Sequence, residues 1–375
     1  MSEWSNVNLA SLLSFGNGKS RPLDSGNIPV YGGNGIMSHV SQSNYDQETI
    51  IIGRVGAYCG ATYYENKPIW ISDNALSAKA IGKNNTKYLY YLLKNLDLNQ
   101  FAEGSSHPLL TQKLLKSVET KAALDHYEQK AIASVLSSLD DKIDLLHRQN
   151  KTLESMAETL FRQWFDVDSN DEWQEKNVLD IFTLVGGGTP KTSVAEYWTD
   201  EIPWISGGDI SAAHQGYLYS TEKSISLAGL QNSSAKLLPK NSTVISARGT
   251  VGKYALLARD MAFSQSNYGI VSKIGNYPFF IYLLVGFIVD DLLTAAYGSV
   301  FDTITTRTFE SVNLKFPSLN SIEKFNEEIS PIFSKKETNT QQIKTLETLR
   351  DTLLPKLMSG EVRVQYAEEK LESVA

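Results

Sequence analysis

Between Glu128 and Phe165 the chain reads EQKAIASVLSSLDDKIDLLHRQNKTLESMAETLFRQWF, without a Gly or Pro. Ile132, Leu136, Leu139, Ile143, Leu146, Asn150, Leu153, Ala157, Leu160 and Trp164 follow one another at alternating steps of four and three. That heptad seam predicts a long helix, about 50 Å from Ile132 to Trp164 at 1.5 Å per residue. A sustained 3.5-residue period winds helices around each other, so this helix calls for a long partner. The seam is apolar except at Asn150; a buried Asn weakens such a seam but sets its register. The partner is visible in the same chain: Ile322, Phe325, Ile329, Ile332, Lys336, Asn339, Ile343, Leu346, Arg350, Leu353 and Leu357 repeat the alternation, with Pro331 expected to kink the path. Lys336, Asn339 and Arg350 make this seam the more polar of the two. A side-by-side, antiparallel pair is the expectation; one amphipathic helix on an ordinary core is the plainer alternative.

Outside these helices the apolar runs are short and bounded by Gly, Asn and Ser turns, and they occur twice. FAEGSSHPLLTQKLLKSVE (Phe101–Glu119) matches AAYGSVFDTITTRTFESVN (Ala295–Asn313); Gly104 and Gly298, Ser117 and Ser311, Val118 and Val312 each lie 194 positions apart. YLYYLL from Tyr88 and FFIYLL from Phe279 precede them. Upstream, TIIIGRVGAYCG (Thr49–Gly60) matches TVISARGTVGKYA (Thr243–Ala255), and IPVYGGNGI (Ile28–Ile36) matches IPWISGGDI (Ile202–Ile210). ETLRDTLL from Glu347 echoes ESMAETLF from Glu154. The chain is therefore one unit written twice.

This order predicts an α+β protein with an internal pseudo-twofold repeat: a globular domain over residues 1–120, a long helix over 121–165, a second globular domain over 166–320, a second long helix over 321–365 and a charged tail over 366–375. The two helices pair as an antiparallel coiled coil, with Leu136, Leu139, Ile143, Leu146, Asn150, Leu153, Ile343, Leu346 and Leu353 as its seam. DVDSNDEW (Asp166–Trp173) reads as the linker into the second domain.

Composition narrows the function. Hydrophobic content of 42% and charged content of 21% over 375 residues suit a soluble chain of more than one domain. No run of 18 apolar residues and no leader is read, so no membrane partner is expected. Cys59 stands alone, which excludes an internal disulfide, makes a cysteine zinc site unlikely and suits a reducing cytoplasm. The net charge of −7 argues mildly against nucleic acid, and its distribution softens the argument: residues 1–120 hold ten Lys/Arg against nine Asp/Glu, and residues 166–320 hold eleven against sixteen. A DNA-gripping chain of this kind needs local patches or a basic partner.

Catalytic signatures are weak. GNGK (Gly16–Lys19) and VGGGTPKT (Val185–Thr192) are incomplete as phosphate loops, no GxSxG is present, and His39, His107, His126, His147 and His214 show no metal spacing. No catalytic or metal-ligating residue is assigned. The repeated loops are better suited to recognition. Arg54 and Arg248 each follow a strand-like run and precede a Gly-rich turn, which places a guanidinium where it can pair with guanine or a phosphate. Thr189, Lys191 and Thr192 offer a phosphate-positioning set with Lys19 and Arg21 as its first-half counterpart. Asn34 between Gly33 and Gly35, Gly207, Gly208 and Asp209, and Tyr58, Thr250 and Lys253 complete the candidates. Plainer readings stand beside these: salt bridges within the domain for the two arginines, simple turns for the Gly-rich segments, and N-caps for Gly104–Ser106 and Gly298–Ser299.

At this point the helical strings, together with LRDTLLPKLMSGEVRV (Leu349–Val364), GRVGAYCG, ISDNA (Ile71–Ala75) and GSSHPLLT, resemble the specificity subunits of Type I restriction–modification enzymes, and the likeness covers nearly the whole chain. It implies two target recognition domains, each reading one half of a bipartite sequence in double-stranded DNA. The helices then serve as a ruler that sets the spacer and as the dock for two modification (methyltransferase) subunits, which restriction subunits join. It also implies a non-catalytic chain without cofactors, with S-adenosylmethionine, ATP and Mg²⁺ on the partner subunits. At GSVFDTIT the second half departs from GSSHPLLT, so loop equivalence is in doubt there. The alternative is a two-domain coiled-coil protein-binding scaffold without DNA recognition.

Overall fold

A computed structural model describes residues 4–104, 108–165, 173–297 and 303–364. The chain packs as two units, residues 1–145 with 343–375 and residues 146–342. In the first, β1 (Trp4–Asn8), α1 (Leu9–Leu12), β2 (Leu13–Asn17), β3 (Ile28–Gly32), β4 (Gly35–Val40), β5 (Thr49–Gly53), β6 (Thr62–Glu65), β7 (Trp70–Ile71) and β8 (Ala75–Ala80) are followed by α2 (Thr86–Asn95), α3 (Gln112–Ser117) and β9 (Glu119–Ala123). α4 (His126–Trp164) is the long helix. The strands form one sheet in the order β2-β8-β5-β6, a second in the order β4-β3-β7, and a β1-β9 ribbon. β5 is buried along its length, as its unbroken TIII run requires of a strand covered on both faces. Asn85 caps α2 by accepting the Tyr88 N–H at 2.9 Å. Tyr88, Leu89, Leu92 and Leu93 of α2 enter a core that also takes Ile132 and Leu136 from α4.

The second unit repeats this plan. β10 (Gln174–Asn177), α5 (Val178–Ile181), β11 (Phe182–Gly186), β12 (Ile202–Ile205), α6 (Gly207–Ala212), β13 (Tyr217–Leu218), β14 (Lys223–Ile225), α7 (Leu227–Gln231), β15 (Leu237–Leu238), β16 (Thr243–Ser246), β17 (Tyr254–Leu257), β18 (Met261–Phe263) and β19 (Asn267–Ser272) precede α8 (Pro278–Tyr297), α9 (Thr306–Glu310), β20 (Asn313–Phe316) and α10 (Leu319–Ser359). Its sheets run β11-β19-β16-β17-β13 and β14-β12-β18-β15, with a β10-β20 ribbon. Each order reproduces the first unit's and adds one edge strand. Even the parallel step recurs: β3 with β7, β12 with β18. The additions fall between β12 and β16, where residues 206–242 hold α6, β13, β14, α7 and β15, against residues 33–48 in the first unit.

α8 is 20 residues long with a mean hydropathy of 2.0, enough by length and composition to cross a membrane. The pattern of charges conceals this, because Asp290 and Asp291 interrupt the apolar run. Half of the helix is buried in the fold, and Phe280, Ile281, Leu284, Val285 and Ile288 belong to the second unit's main core. It is a core helix whose packing takes the place that α2 has in the first unit.

The long helices run antiparallel within each unit. In the first, Arg363 Nη1 donates to Glu128 at 2.5 Å and Arg350 Nη1 to Asp140 at 2.9 Å. In the second, Asn339 Nδ2 donates to Asn150 Oδ1 at 3.0 Å, Lys336 Nζ to Glu154 Oε1 at 2.9 Å, and Trp164 Nε1 to Glu328 Oε2 at 3.1 Å. As numbers rise along α4, partner numbers fall. Leu136, Ile143, Leu146 and Ile343 are buried; Leu139, Asn150, Leu153, Leu346 and Leu353 are half-buried. α10 is one helix through Pro331.

Candidate nucleic-acid interface

In the first unit four backbone segments meet at one end of the two sheets. Lys19 N–H donates to Ile71 O at 2.9 Å, and Gly18 lies so close to Ser72 that an added Cβ would stand 1.8 Å from its carbonyl oxygen. No side chain fits there, so the glycine allows the Lys19 segment to lie on the Ser72–Asn74 turn. Arg54 N–H donates to Asn74 O at 3.0 Å, and its carbonyl accepts the Leu110 N–H at 2.9 Å and the Cys59 thiol at 3.2 Å. Gly33 sits against the same group: a Cβ there would lie 3.7 Å from both Asn74 O and Val55 O. Lys19, Arg21, Asn34 and Tyr58 are exposed at this end, and Arg54 is half-buried. Arg21 Nη1 donates to Ser38 Oγ at 3.2 Å. The buried Nε of Arg54 has no hydrogen-bond partner.

The second unit builds the same end from matching segments. Gly187 lies on Ser264, where a Cβ would be 2.2 Å from the carbonyl oxygen, and the Thr189 hydroxyl donates to Gln265. Ala247 N–H donates to Ser266 O at 2.9 Å. Gly207 lies beside Thr250, whose hydroxyl donates to Gly207 O at 3.1 Å and meets Ser246 Oγ at 3.0 Å. Gly249 and Gly252 carry the turn at φ of +78° and +80°, a left-handed region that favours glycine. Arg248, Lys191 and Thr192 are exposed, and Lys253 is half-buried beside His214. Burial first, and Lys253 second, lower the His214 pKa.

The candidates therefore divide. Among the described residues the guanidinium groups of Arg54 and Arg248 enter no ion pair, so the salt-bridge alternative does not describe them. The hydroxyls of Thr189 and Thr250 are spent on holding their loops. Asp209 is spent as well: its carboxylate accepts from Ser206 N at 2.8 Å, Ser206 Oγ at 2.7 Å and Glu222 N at 2.9 Å, capping α6. The candidate caps at Ser105, Ser106, Gly298 and Ser299 lie outside the described residues, as do residues 166–172 of the linker. Asn74 and Ser266, not among the candidates, hold the facing turns through their carbonyls, which accept from Arg54 N at 3.0 Å and Ala247 N at 2.9 Å. Among the described residues no three His, Cys, Asp or Glu gather as a metal site.

The family model described as "Type I restriction modification DNA specificity domain" matches this chain twice, over residues 1–155 and 170–348, one match per repeat. The chain belongs to this family. It is a specificity subunit of a Type I restriction–modification system, and the scaffold alternative is not favoured. This specificity chain is 28% identical over 305 residues to the Type I restriction enzyme MjaIX specificity subunit of Methanocaldococcus jannaschii, covering 75% of this chain and 70% of the relative. It is 23% identical over 360 residues to the HindI specificity subunit of Haemophilus influenzae, covering 74% and 77%. The crystal structure of the Type I restriction–modification S subunit from M. genitalium shares its fold, with a TM-score of 0.68 at 16% identity over 95% of this chain and 96% of that one.

Proposed function

We propose that each loop cluster of the specificity chain reads one half of a bipartite site in double-stranded DNA, and that α4 and α10 set the spacer and dock the modification subunits. One observation carries this reading. The same four-segment cluster is built once per repeat, each time with an arginine that enters no ion pair among the described residues. A guanidinium kept free at a loop tip suits bidentate pairing with guanine or a phosphate. Lys19, Arg21, Asn34, Tyr58, Lys191, Thr192 and Lys253 surround the arginines as positioning groups, and Thr189 and Thr250 hold the loops in shape.

The chain itself is the non-catalytic recognition subunit in this reading. Two modification subunits bring S-adenosylmethionine, and restriction subunits bring ATP and Mg²⁺ chemistry, in the cytoplasm. The acidic second domain is compensated by phosphate contacts from the modification subunits, so a steep salt dependence belongs to the assembly and not to the isolated chain. The test is a genome-wide map of N6-methyladenine in a host expressing the chain with its modification subunit. A bipartite motif that depends on the chain is expected; Arg54→Ala degrades one half-site and Arg248→Ala the other. Degradation of both halves by one substitution, or no motif with an active modification subunit, defeats the reading.

A further inference from the structure

The second unit fills a place that the first leaves open. Gly53 N–H donates to Ala61 O at 2.8 Å and Ser246 N–H to Lys253 O at 2.7 Å, which sets Tyr64 of β6 in correspondence with Leu256 of β17. β17 carries a further strand on its outer edge. Gln215 N–H donates to Tyr254 O at 3.0 Å, Leu256 N–H to Gly216 O at 2.9 Å and Ala258 N–H to Leu218 O at 3.0 Å. That strand, β13, runs parallel to β17. Its tyrosines reach the long helix: the Tyr217 hydroxyl donates to Phe333 O at 3.5 Å and the Tyr219 hydroxyl to Glu337 O at 3.2 Å. β6 carries no such strand and ends its sheet. By the same correspondence Thr62 O, Tyr64 N–H and Asn66 N–H point away from β5, and none of the three has a partner among the described residues.

Beside this edge a groove of about 610 Å³ lies between β6, α2 and α4. The strings ETLRDTLL and ESMAETLF set Asp140 in correspondence with Phe333 and Asp144 with Glu337, so the stretch of helix that β13 reaches in one unit bears acids in the other. Asp140 is taken by Arg350 at 2.9 Å and by the Tyr91 hydroxyl at 2.7 Å. Asp141 and Asp144 line the groove while exposed, and enter no ion pair among the described residues. On the facing wall Lys87 lies over the Tyr64 ring at 5.6 Å and Lys94 over the Tyr90 ring at 5.8 Å, while Lys67 stands exposed just past β6. An unpaired strand edge is a template for a further strand, and this one opens onto a groove where the other unit already holds one.

We propose that an extended, basic segment of a partner protein adds to β6 at this edge, parallel to it as β13 is to β17. Its backbone takes up Thr62 O and the N–H groups of Tyr64 and Asn66. Side chains two apart on a strand share a face, and Tyr217 and Tyr219 place that face against the long helix. Lysine, arginine or tyrosine at alternate positions of the segment therefore meets Asp141 and Asp144, whereas an acidic segment brings like charges together there. Main-chain pairing supplies the affinity of such strand addition and the alternate side chains its specificity. The inference does not depend on the reading of DNA by the loop clusters.

The experiment titrates the full chain into a fluorescent peptide of about eight residues that alternates Lys or Tyr with Val, read by anisotropy. Two control peptides carry Glu in place of Lys, or methyl groups on alternate backbone amides. The basic peptide is expected to saturate, and each control to bind about tenfold more weakly. Asp141→Asn with Asp144→Asn, both at exposed positions, lowers affinity for the basic peptide about tenfold and leaves the Glu peptide unchanged. Asn66→Pro removes one outward N–H and weakens every peptide that is not methylated; should that variant fail to fold, the methylated peptide reads the same main-chain pairing. No saturation by the basic peptide below about 1 mM overturns the proposal. So does equal binding of the Glu or methylated peptide, or binding that the aspartate variant does not move. Self-association of the full chain that Asn66→Pro abolishes assigns the edge to a second copy and overturns it as well.

Discussion

The two halves share one backbone plan, and their side-chain chemistry differs where the long helices meet. In the first unit the seam's polar groups sit toward its edge: Arg350 bridges Asp140 and Asp351, both partly exposed. In the second they are inside. Lys336 and Asn339 are buried, with Glu154 and Asn150 as partners. In the repeat alignment Lys336 corresponds to Ile143 and Asn339 to Leu146, so each buried polar group answers to an apolar one in the other helix. Duplication explains the common strand order, but a duplicated seam would be equally content in several pairings. Unequal polar positions pair in one register only, because any slip leaves an ammonium or amide buried without a partner. The comparison teaches that the fold tolerates divergence in seam chemistry, to the point of leaving Asn339 Oδ1 buried without a partner while its Nδ2 holds Asn150.

The largest effect should come from breaking the buried pair on one side. Glu154→Leu leaves the Lys336 ammonium with the Gln215 carbonyl alone and should cost about 3–5 kcal/mol in urea unfolding. Adding Lys336→Met should recover nearly all of it; if the double variant is as weak as the single, the pair is not the cause. Asn339→Leu comes next, at about 2 kcal/mol, since Asn150 loses its amide partner inside the seam. Arg350→Met in the first unit should cost about 1 kcal/mol, because its partners are partly solvated. If Arg350→Met outweighs Glu154→Leu, the contrast between the seams is wrong.

The smallest effect is one of pH. Burial raises the pKa of Tyr88 in the first unit and Tyr254 in the second to about 12 from an ordinary 10. The folded chain holds these protons where the unfolded chain has released them, so stability is full below pH 10 and falls from 10 to 12. Tyr88→Phe should flatten that slope by up to one proton; an unchanged slope would assign the titration elsewhere.

Much of the fold is legible along the chain because its signals are periodic or repeated. The heptads of Glu128–Phe165 mark a helix whatever it touches, and the run TIII marks a buried strand. The matched strings locate corresponding elements, and β5 and β16 indeed hold the same place in their sheets. The same strings align Arg54 with Arg248, but in the structure Ala247 makes the backbone bonds that Arg54 makes, so Arg248 stands one residue further along its loop. The insertion between β12 and β16 is less legible, since its strands of two or three residues carry no period. α8 is obscured by Asp290 and Asp291, which face away from the core and break an apolar run without breaking the helix.

What the sequence by itself determined is the plan: two α+β domains, two long helices, and one repeat, each set by local spacing that survives any tertiary environment. Which side chains remain available was decided only by the tertiary structure. Thr189 and Thr250 look as free as Arg248 in the sequence, yet they are consumed by segments far from them along the chain. A hydrogen bond is spent on whatever the fold brings within about 3 Å, and no spacing along a chain records that meeting.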